Sequence, residues 1–164
     1  MKQYIARLTR AALRSVGTVL VASLCLAAQP ATAFADGVQF GVRGGYYTKV
    51  DKPFLGAELL ARVAPRFYFN PNVEYLFVDN GTYMTFNGDF HYDFPTHGRT
   101  YTWLGAGPAL VRVDPEGPAN ANTDLAANLL GGIGFRRGSV IPYIQAKAII
   151  KSDSLVSLAV GLRF

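Results

Sequence analysis

Apolar and polar residues alternate with a period of two along the chain from Gly37 to its last residue. The alternation is clearest at the end of the chain, where apolar residues take turns with small or polar ones: Val156, Ser157, Leu158, Ala159, Val160, Gly161, Leu162, Arg163 and Phe164. Successive side chains of a β-strand point to opposite faces, so this pattern predicts a strand with one apolar face. Neither a run of the roughly 18 apolar residues that a membrane helix needs nor a sustained helical period occurs after Gly37. The pattern therefore predicts an all-β protein.

Eight alternating segments follow one another, separated by stretches rich in Gly, Pro, Asn and Asp. The predicted strands are 37–47, 54–69, 72–79, 83–94, 100–113, 124–136, 140–151 and 154–164. The predicted connections include a tight turn at Asn70-Pro71-Asn72, a minimal hairpin at Asn80-Gly81 and one long loop at 114–123. Short connections join neighbouring antiparallel strands, and closure removes both edges of the sheet. The prediction is an eight-stranded antiparallel up-and-down β-barrel.

The width of such a barrel indicates which face meets lipid. An eight-stranded interior is just wide enough for side chains to fill it, so it cannot hold every Phe, Tyr, Leu and Val of the apolar faces. Lipid accepts them all, which predicts a transmembrane barrel whose polar face is enclosed. The polar residues predicted to face this lumen are Arg43, Glu58, Arg62, Glu74, Asn87, Asp89, His91, Asn128, Arg136, Gln145, Lys147 and Arg163. Paired charges would close the bore and unpaired ones would line an ion path; the narrow interior favours closure.

Aromatic residues are expected on both faces of the strands. Sequence parity places Trp103 inside the barrel and Tyr46 and Tyr92 outside, where amphipathic rings form girdles at the membrane interfaces. Tyr47, Tyr75 and Tyr83 are candidates for either position. The Gly-rich stretches 105–107 and 131–134 are not followed by a helix or by Gly-Lys-Ser/Thr, so they are expected beneath bulky lumenal side chains rather than around a phosphate.

The first 35 residues have the order of a secretory signal peptide. Basic residues precede an apolar run over 16–28, and small residues then offer cleavage sites after Ala33 or Ala35. The expected domains are a cleaved leader over 1–35 and a barrel over 36–164. Cleavage of the leader would remove the single cysteine, Cys25, and four of the 16 basic residues. The remaining basic residues then nearly balance the 11 acidic ones. A nearly neutral chain without a basic cluster argues against nucleic-acid binding.

His91 is the one residue whose surroundings suggest chemistry. It lies between Asp89 and Asp93, and residues two apart on a strand face the same side. This placement suggests an acid/base or metal cluster, yet no hydroxyl or thiol nucleophile follows in the pattern that a hydrolase requires. His97 falls in a turn, and a single turn histidine makes no metal site. The expectation is therefore a hydrogen-bonded lumenal histidine, with no catalytic, cofactor or metal site.

Three short motifs resemble those of small bacterial outer-membrane barrels, the opacity-like and OmpA-transmembrane-domain-like family. They are the final strand 157–164, the stretch Tyr101-Thr102-Trp103-Leu104-Gly105-Ala106-Gly107-Pro108, and the stretch 66–72 around the Asn-Pro-Asn sequence. The resemblance implies an outer-membrane location, periplasmic termini, and recognition of the last strand, ending in Phe164, by the barrel-assembly machinery. It also implies outward-facing connections at 49–53, Asn80-Gly81, 114–123 and Ser152-Asp153.

The sequence specifies a function less closely than a fold. The leading hypothesis is a non-enzymatic outer-membrane protein with a structural, surface-contact or minor solute-passage role, whose partners are membrane lipid and an unidentified extracellular surface. One alternative is a lipid- or lipopolysaccharide-modifying barrel enzyme centred on His91 with Asp89 or Asp93. Another is a soluble periplasmic lipocalin-like binder, which needs an apolar cavity and a polar outer face.

Overall fold

The computed structural model describes residues 37–96, 98–117, 120–136 and 138–164 of the chain. The predicted leader over 1–35, with Cys25 and both cleavage sites, lies outside the described residues, as does His97. No helix within the described part is long and apolar enough to cross a membrane.

Eight antiparallel strands form one closed barrel in chain order, with β1 paired to β8, which confirms the predicted fold. The strands are β1 Val38–Tyr47, β2 Lys52–Ala64, β3 Phe67–Leu76, β4 Thr82–Asp93, β5 Thr100–Asp114, β6 Asn122–Phe135, β7 Ile141–Ile150 and β8 Leu155–Arg163. The up-and-down order places the ends of the barrel chain and the connections after β2, β4 and β6 at one end, here called the terminus end. The connections after β1, β3, β5 and β7 lie at the opposite end, here called the loop end.

The strands are staggered around the barrel. Following the paired residues from Val38 on β1 through each strand in turn leads to Val156 on β8. The carbonyl of Val156 accepts a hydrogen bond from the N–H of Thr48 at 2.9 Å, so one circuit displaces the register by ten residues, from 38 to 48. In an eight-stranded barrel, such a stagger goes with strands inclined roughly 40° to the axis and an interior that side chains fill.

The tight turn predicted at Asn70-Pro71-Asn72 is wrong. The chain turns instead at 65–66, where Arg66 has a φ of 65°, and all three residues lie within β3. Proline in a strand removes one ladder hydrogen bond, because it has no N–H. Here the side-chain amide of Asn70 donates to the carbonyl of Leu59, the residue opposite Pro71 in the register, at 2.6 Å. This local replacement allows a strand where the composition suggests a turn.

The connection after β3 is longer than the predicted Asn80-Gly81 hairpin. It comprises the five residues 77–81, because β3 ends at Leu76. Gly81 has a φ of 98°, and a Cβ there would lie 2.2 Å from the carbonyl oxygen of Asp114. Only glycine both adopts this positive φ easily and leaves room for the end of β5, which approaches closely here.

The two faces of the sheet have opposite character. Leu104, Leu125 and Val160 on the outer wall are 60%, 76% and 62% exposed, whereas Trp103 is enclosed at 1%, on the side that parity predicts. Tyr46 and Tyr75 are exposed on the wall, and Tyr47 and Tyr83 are buried inside. The outer wall is thus apolar, and the interior holds charged and amide side chains together with some of the aromatic and aliphatic ones.

Candidate functional site

The enclosed lumen is the candidate site, because strand alternation directs 15 buried polar or charged side chains into it. Ten of the twelve residues predicted for the lumen are buried: Arg43, Glu58, Glu74, Asn87, Asp89, His91, Asn128, Gln145, Lys147 and Arg163. The other two, Arg62 and Arg136, are exposed. They lie at the terminus end, where the lumen opens, because parity fixes the face of a residue and not its depth along the barrel axis.

A network of ion pairs crosses the middle of the lumen. Glu74 pairs with Arg43 at 2.5 Å and with Lys147 at 2.8 Å, and Glu58 pairs with Arg163 at 2.8 Å and with Arg43 at 3.5 Å. All five side chains are at most 1% exposed. Buried charges are costly unless they are paired and hydrogen-bonded, and each carboxylate here has two cations. The network joins β1, β2, β3, β7 and β8 across the bore.

Side-chain amides continue this polar layer around Asp89. Its two carboxylate oxygens accept hydrogen bonds from Asn128 at 2.7 Å and from Asn72 at 2.9 Å. Asn87 donates to the side-chain oxygen of Asn72 at 2.9 Å, and Asn128 donates to that of Asn87 at the same distance. Asn72 also accepts from Arg43. Sequence reasoning missed Asn70 and Asn72, because it assigned them to a turn; extending the alternation of β3 through Pro71 would have placed both inside.

Aromatic rings fill the lumen between the ion pairs and the terminus end. Trp103 lies 5.8 Å from the Tyr143 ring and 5.7 Å from the His91 ring, measured between centroids. The guanidinium of Arg163 lies 4.3 Å from the centroid of Tyr143 and 5.1 Å from that of Trp103, within the range of cation–π attraction. Arg163, the last lumenal residue of β8, is therefore held by its ion pair with Glu58 and by the rings of Trp103 and Tyr143.

Glycines on the neighbouring strands make room for these rings. Trp103 is paired in register with Gly132, Tyr101 with Gly134, and Tyr143 with Gly161. A Cβ at Gly132 would lie 2.2 Å from the Trp103 ring, and one at Gly161 would lie 2.4 Å from the Tyr143 ring. The glycines therefore lie beneath bulky lumenal side chains, as expected from the sequence.

An apolar layer closes the loop end of the lumen, and the sequence reasoning did not predict it. Its buried members are Tyr47, Phe54, Leu76, Tyr83, Ala109, Val111, Ala126, Ile149, Leu155 and Ala159. Tyr47 and Phe54 pack edge to face with centroids 5.2 Å apart, and the Tyr47 hydroxyl donates to the Glu74 carboxylate. Each strand contributes only one or two members, so the layer exists only once the barrel closes.

His91 forms a buried pair with Asp93, not with Asp89. Its Nδ1 lies 3.1 Å from Oδ1 of Asp93, and its ring stacks on Tyr68 with centroids 5.5 Å apart. Among the described residues, no Ser, Thr or Tyr hydroxyl is hydrogen-bonded to His91, and no group of three His, Cys, Asp or Glu side chains can hold a metal. The pair therefore lacks an adjacent nucleophile in the part of the chain that the structure describes.

Ion pairs tie the connections together at the loop end. Lys49 pairs with Asp153 between the connections after β1 and β7, Lys52 with Asp79, and Lys151 with Asp124 at 3.0 Å. The Lys49 ammonium, which donates a hydrogen bond to Asp153, holds the pKa of that carboxyl below its usual value. These pairs are exposed or half-buried, so each stabilises the rim only weakly.

A closed barrel with an apolar wall and a filled polar lumen is the architecture of small membrane β-barrels. No family model matches the chain, and a comparison with curated proteins finds no match. Among solved structures, the N-terminal β-barrel domain of Pseudomonas aeruginosa OprF is similar, with a TM-score of 0.61 at 14% identity over 79% of this chain and 98% of that one. Neisserial surface protein A is similar with a TM-score of 0.60 at 17% identity, over 77% of this chain and 94% of that one.

A third similar structure is the outer membrane enzyme PagL, with a TM-score of 0.52 at 13% identity over 77% of this chain and 98% of that one. The resemblance to small outer-membrane barrels that the sequence suggests is thus confirmed for the fold. At these identities the likeness extends to the fold alone, since one barrel architecture carries several unrelated functions.

Proposed function

We propose that this chain is an integral outer-membrane barrel without enzymatic activity, which stabilises the envelope and presents its loop end as a contact surface. The observation that carries the proposal is the inverted distribution of residues. Large apolar side chains cover the outside, while charged and amide side chains are enclosed.

The apolar wall is too extensive for contact with water. Exposed Leu, Val, Ile, Phe and Tyr side chains occur on every strand, whereas a soluble monomer rarely exposes a contiguous apolar patch larger than a few hundred Å². A soluble lipocalin-like binder requires the reverse arrangement, with an apolar cavity and a polar outer face. The wall therefore supports contact with acyl chains.

The filled lumen supports a closed barrel rather than a pore. The ion-paired and amide layer spans the middle, aromatic rings lie on one side of it and the apolar layer on the other. An ion would have to displace paired charges and then cross the apolar layer, and both steps are unfavourable. Steady conductance in planar lipid bilayers would contradict this part of the proposal.

The position of His91 supports a non-enzymatic role. Its side chain is 0% exposed and faces the lumen, so a lipid bound against the outer wall cannot reach it. Expression of the chain is expected to leave the lipid and lipopolysaccharide composition of the host unchanged. Altered lipid that disappears in His91→Ala would replace the proposal with a lipid-modifying enzyme.

The orientation we propose places the terminus end in the periplasm and the loop end outside. The last strand, through Phe164, would then be available to the barrel-assembly machinery before β8 closes against β1. In the closed barrel, the N–H of Phe164 donates to the carbonyl of Phe40 at 2.8 Å and its ring is 44% exposed. The ion-paired connections at the loop end would present the surface for an extracellular partner.

Paired labels test membrane insertion directly. A polarity-sensitive nitroxide at Leu158 or Leu162, both on the wall, is expected to report hydrocarbon in lipid vesicles. The matched control is a label at Ala159, which lies between them and faces the lumen. The folded barrel is also expected to require detergent and to migrate differently on gels before and after heating. Solubility without detergent, or lipid contact at Ala159, would overturn the proposal.

A further inference from the structure

The exposed charges differ between the two ends of the barrel. At the loop end, lysines and an arginine pair with carboxylates. At the terminus end, the exposed charged residues of the described chain are four arginines, here called the arginine collar: Arg62, Arg66, Arg99 and Arg136. None of the four forms a salt bridge with a described residue. Within the described part of the chain, the collar is a concentration of positive charge that no salt bridge neutralises.

Two collar arginines line one polar pocket of about 300 Å³ at the mouth of the lumen. Its lining includes Arg66, Arg136, Tyr68, Asp93, Phe94 and Thr96. The backbone holds these residues together, because the N–H of Asp93 donates to the carbonyl of Arg66 at 2.9 Å. The N–H of Arg136 likewise donates to the carbonyl of Arg99 at 2.7 Å. The pocket thus joins the ends of β3, β4 and β6, and the bond to Arg99 ties its Arg136 side to the start of β5.

The one carboxylate that lines the pocket forms no salt bridge with either arginine. Asp93 is 7% exposed, and its Oδ1 faces His91 Nδ1 at 3.1 Å. The guanidinium of Arg136 lies 4.4 Å from the centroid of the Tyr101 ring, which fixes its position without cancelling its charge. Two guanidinium groups beside a hydroxyl-bearing lining suit a phosphate, because the planar fork of arginine binds phosphate oxygens in pairs.

Aromatic side chains indicate where this anion comes from. Phe67, Phe94 and Phe164 are 45%, 41% and 44% exposed on the wall at the terminus end, and Tyr92 packs against both Phe67 and Phe94 with centroids 5.5 Å apart. Such a belt marks the level at which a barrel leaves the hydrocarbon. Phe94 also lines the pocket, so Arg66 and Arg136 lie next to the aromatic belt. Phospholipid phosphates lie at this level.

We propose that the arginine collar binds the headgroup phosphates of anionic phospholipids in the leaflet at the terminus end, with Arg66 and Arg136 forming the principal site. The inference rests on the proposed membrane insertion and adds a lipid preference to it. Anionic lipid supplies a counter-charge for these arginines, and the attraction weakens as salt screens exposed charges.

The test uses spin-labelled lipids and the folded chain in phosphatidylcholine vesicles. Spin-labelled phosphatidylglycerol is expected to enter the motionally restricted lipid shell about threefold more readily than spin-labelled phosphatidylcholine, given the attraction of each basic residue near anionic lipid. Arg66→Gln with Arg136→Gln should bring this ratio close to one. Arg66 occupies a positive φ of 65°, so Arg99→Gln with Arg136→Gln provides a second variant that leaves the turn intact and lowers the ratio in the same direction.

The control removes two charges from the other end. Lys49→Gln with Arg112→Gln changes side chains that are 50% and 49% exposed, and it should retain the preference. An equal loss in this control, or an unchanged ratio in both collar variants, would overturn the lipid site. Inorganic phosphate binding that is lost in the collar variants, while the lipid ratio of the same variants stays unchanged, would reassign the pocket to a soluble phosphate and also overturn it. If no restricted lipid appears at all, membrane insertion fails instead of the collar.

Discussion

The middle and the loop end of the same lumen are closed by opposite chemistry. In the middle, Glu58 and Glu74 are each bridged by two cations, and every member depends on its partners. At the loop end, the aliphatic members of the apolar layer, such as Leu76 and Ile149, are buried by packing. Removing one member of a charged network leaves an unpaired charge, whereas removing part of an apolar layer leaves only a cavity. The comparison indicates that single substitutions in the middle of the lumen lower the stability of the barrel more than single substitutions in the apolar layer.

The largest effect is expected from Glu74→Gln. The change leaves Arg43 and Lys147 with one carboxylate fewer inside the barrel, and breaking a buried pair in this way costs about 3–5 kcal/mol. The free energy of unfolding, measured by urea titration in lipid vesicles, should fall by this amount.

Two further variants sharpen this prediction. Glu116→Gln, on an exposed connection, should leave the free energy of unfolding unchanged. Glu74→Leu combined with Lys147→Met should lose less than Glu74→Gln alone, because one charge of each sign is removed together. An equal or greater loss in the double variant would mean that packing, and not charge pairing, dominates the middle of the lumen.

A smaller effect is expected from Ile149→Ala in the apolar layer. Ile149 is 0% exposed, and truncating a buried isoleucine costs about 2–4 kcal/mol through lost burial and the cavity that remains. Its neighbour Ile150 is 47% exposed on the wall and provides the control, because lipid fills the space left by Ile150→Ala. Similar losses in the free energy of unfolding for both variants would contradict the assignment of inner and outer faces.

Gly132→Ala is expected to destabilise the aromatic part of the lumen by about 1–3 kcal/mol, as overpacking does. The new methyl would lie 2.2 Å from the Trp103 ring and 2.7 Å from the Ile144 carbonyl oxygen. Gly88→Ala is the matched control, since its nearest neighbour lies 3.6 Å away. Trp103 fluorescence during urea unfolding reports both variants, and equal midpoints would show that the ring has room to move.

The smallest effect is expected at the rim, from Asp153→Asn. Because the folded pKa of Asp153 lies below its unfolded value, its pair with Lys49 stabilises the barrel above the unfolded pKa and ceases to do so as pH falls through the folded pKa. The urea midpoints of the native chain and the variant should therefore differ at neutral pH and converge as the pH falls through the folded pKa of Asp153. A difference that persists in acid would show that the side chain acts by packing and not by charge.

Alternation along the chain was sufficient to predict the number of strands, their order and the face on which most polar residues lie. It failed where a local signal competed with the register. Asn70-Pro71-Asn72 has the composition of a turn, yet the Asn70 amide replaces the missing proline N–H and keeps the strand intact. Composition indicates only which backbone conformation a segment favours. Here a side-chain amide on β3 satisfies the Leu59 carbonyl of β2, which the proline would leave without a donor.

The alternation of residues along a strand did not predict how deep a lumenal side chain lies along the barrel axis. Arg62 and Arg136 share the parity of the lumen but lie at its open end, and His91 pairs with Asp93 although Asp89 is equally close in sequence. These distinctions depend on strand stagger, which is a property of all eight strands together.

The sequence by itself determined the period of two, the eight segments and the separation of apolar from polar faces, because these follow from neighbours along one strand. The tertiary structure decided which charges pair, where the apolar layer forms and which arginines gather at one end. The physical reason is that closing the barrel with a ten-residue stagger brings residues of different strands to the same depth, and no single strand contains that information.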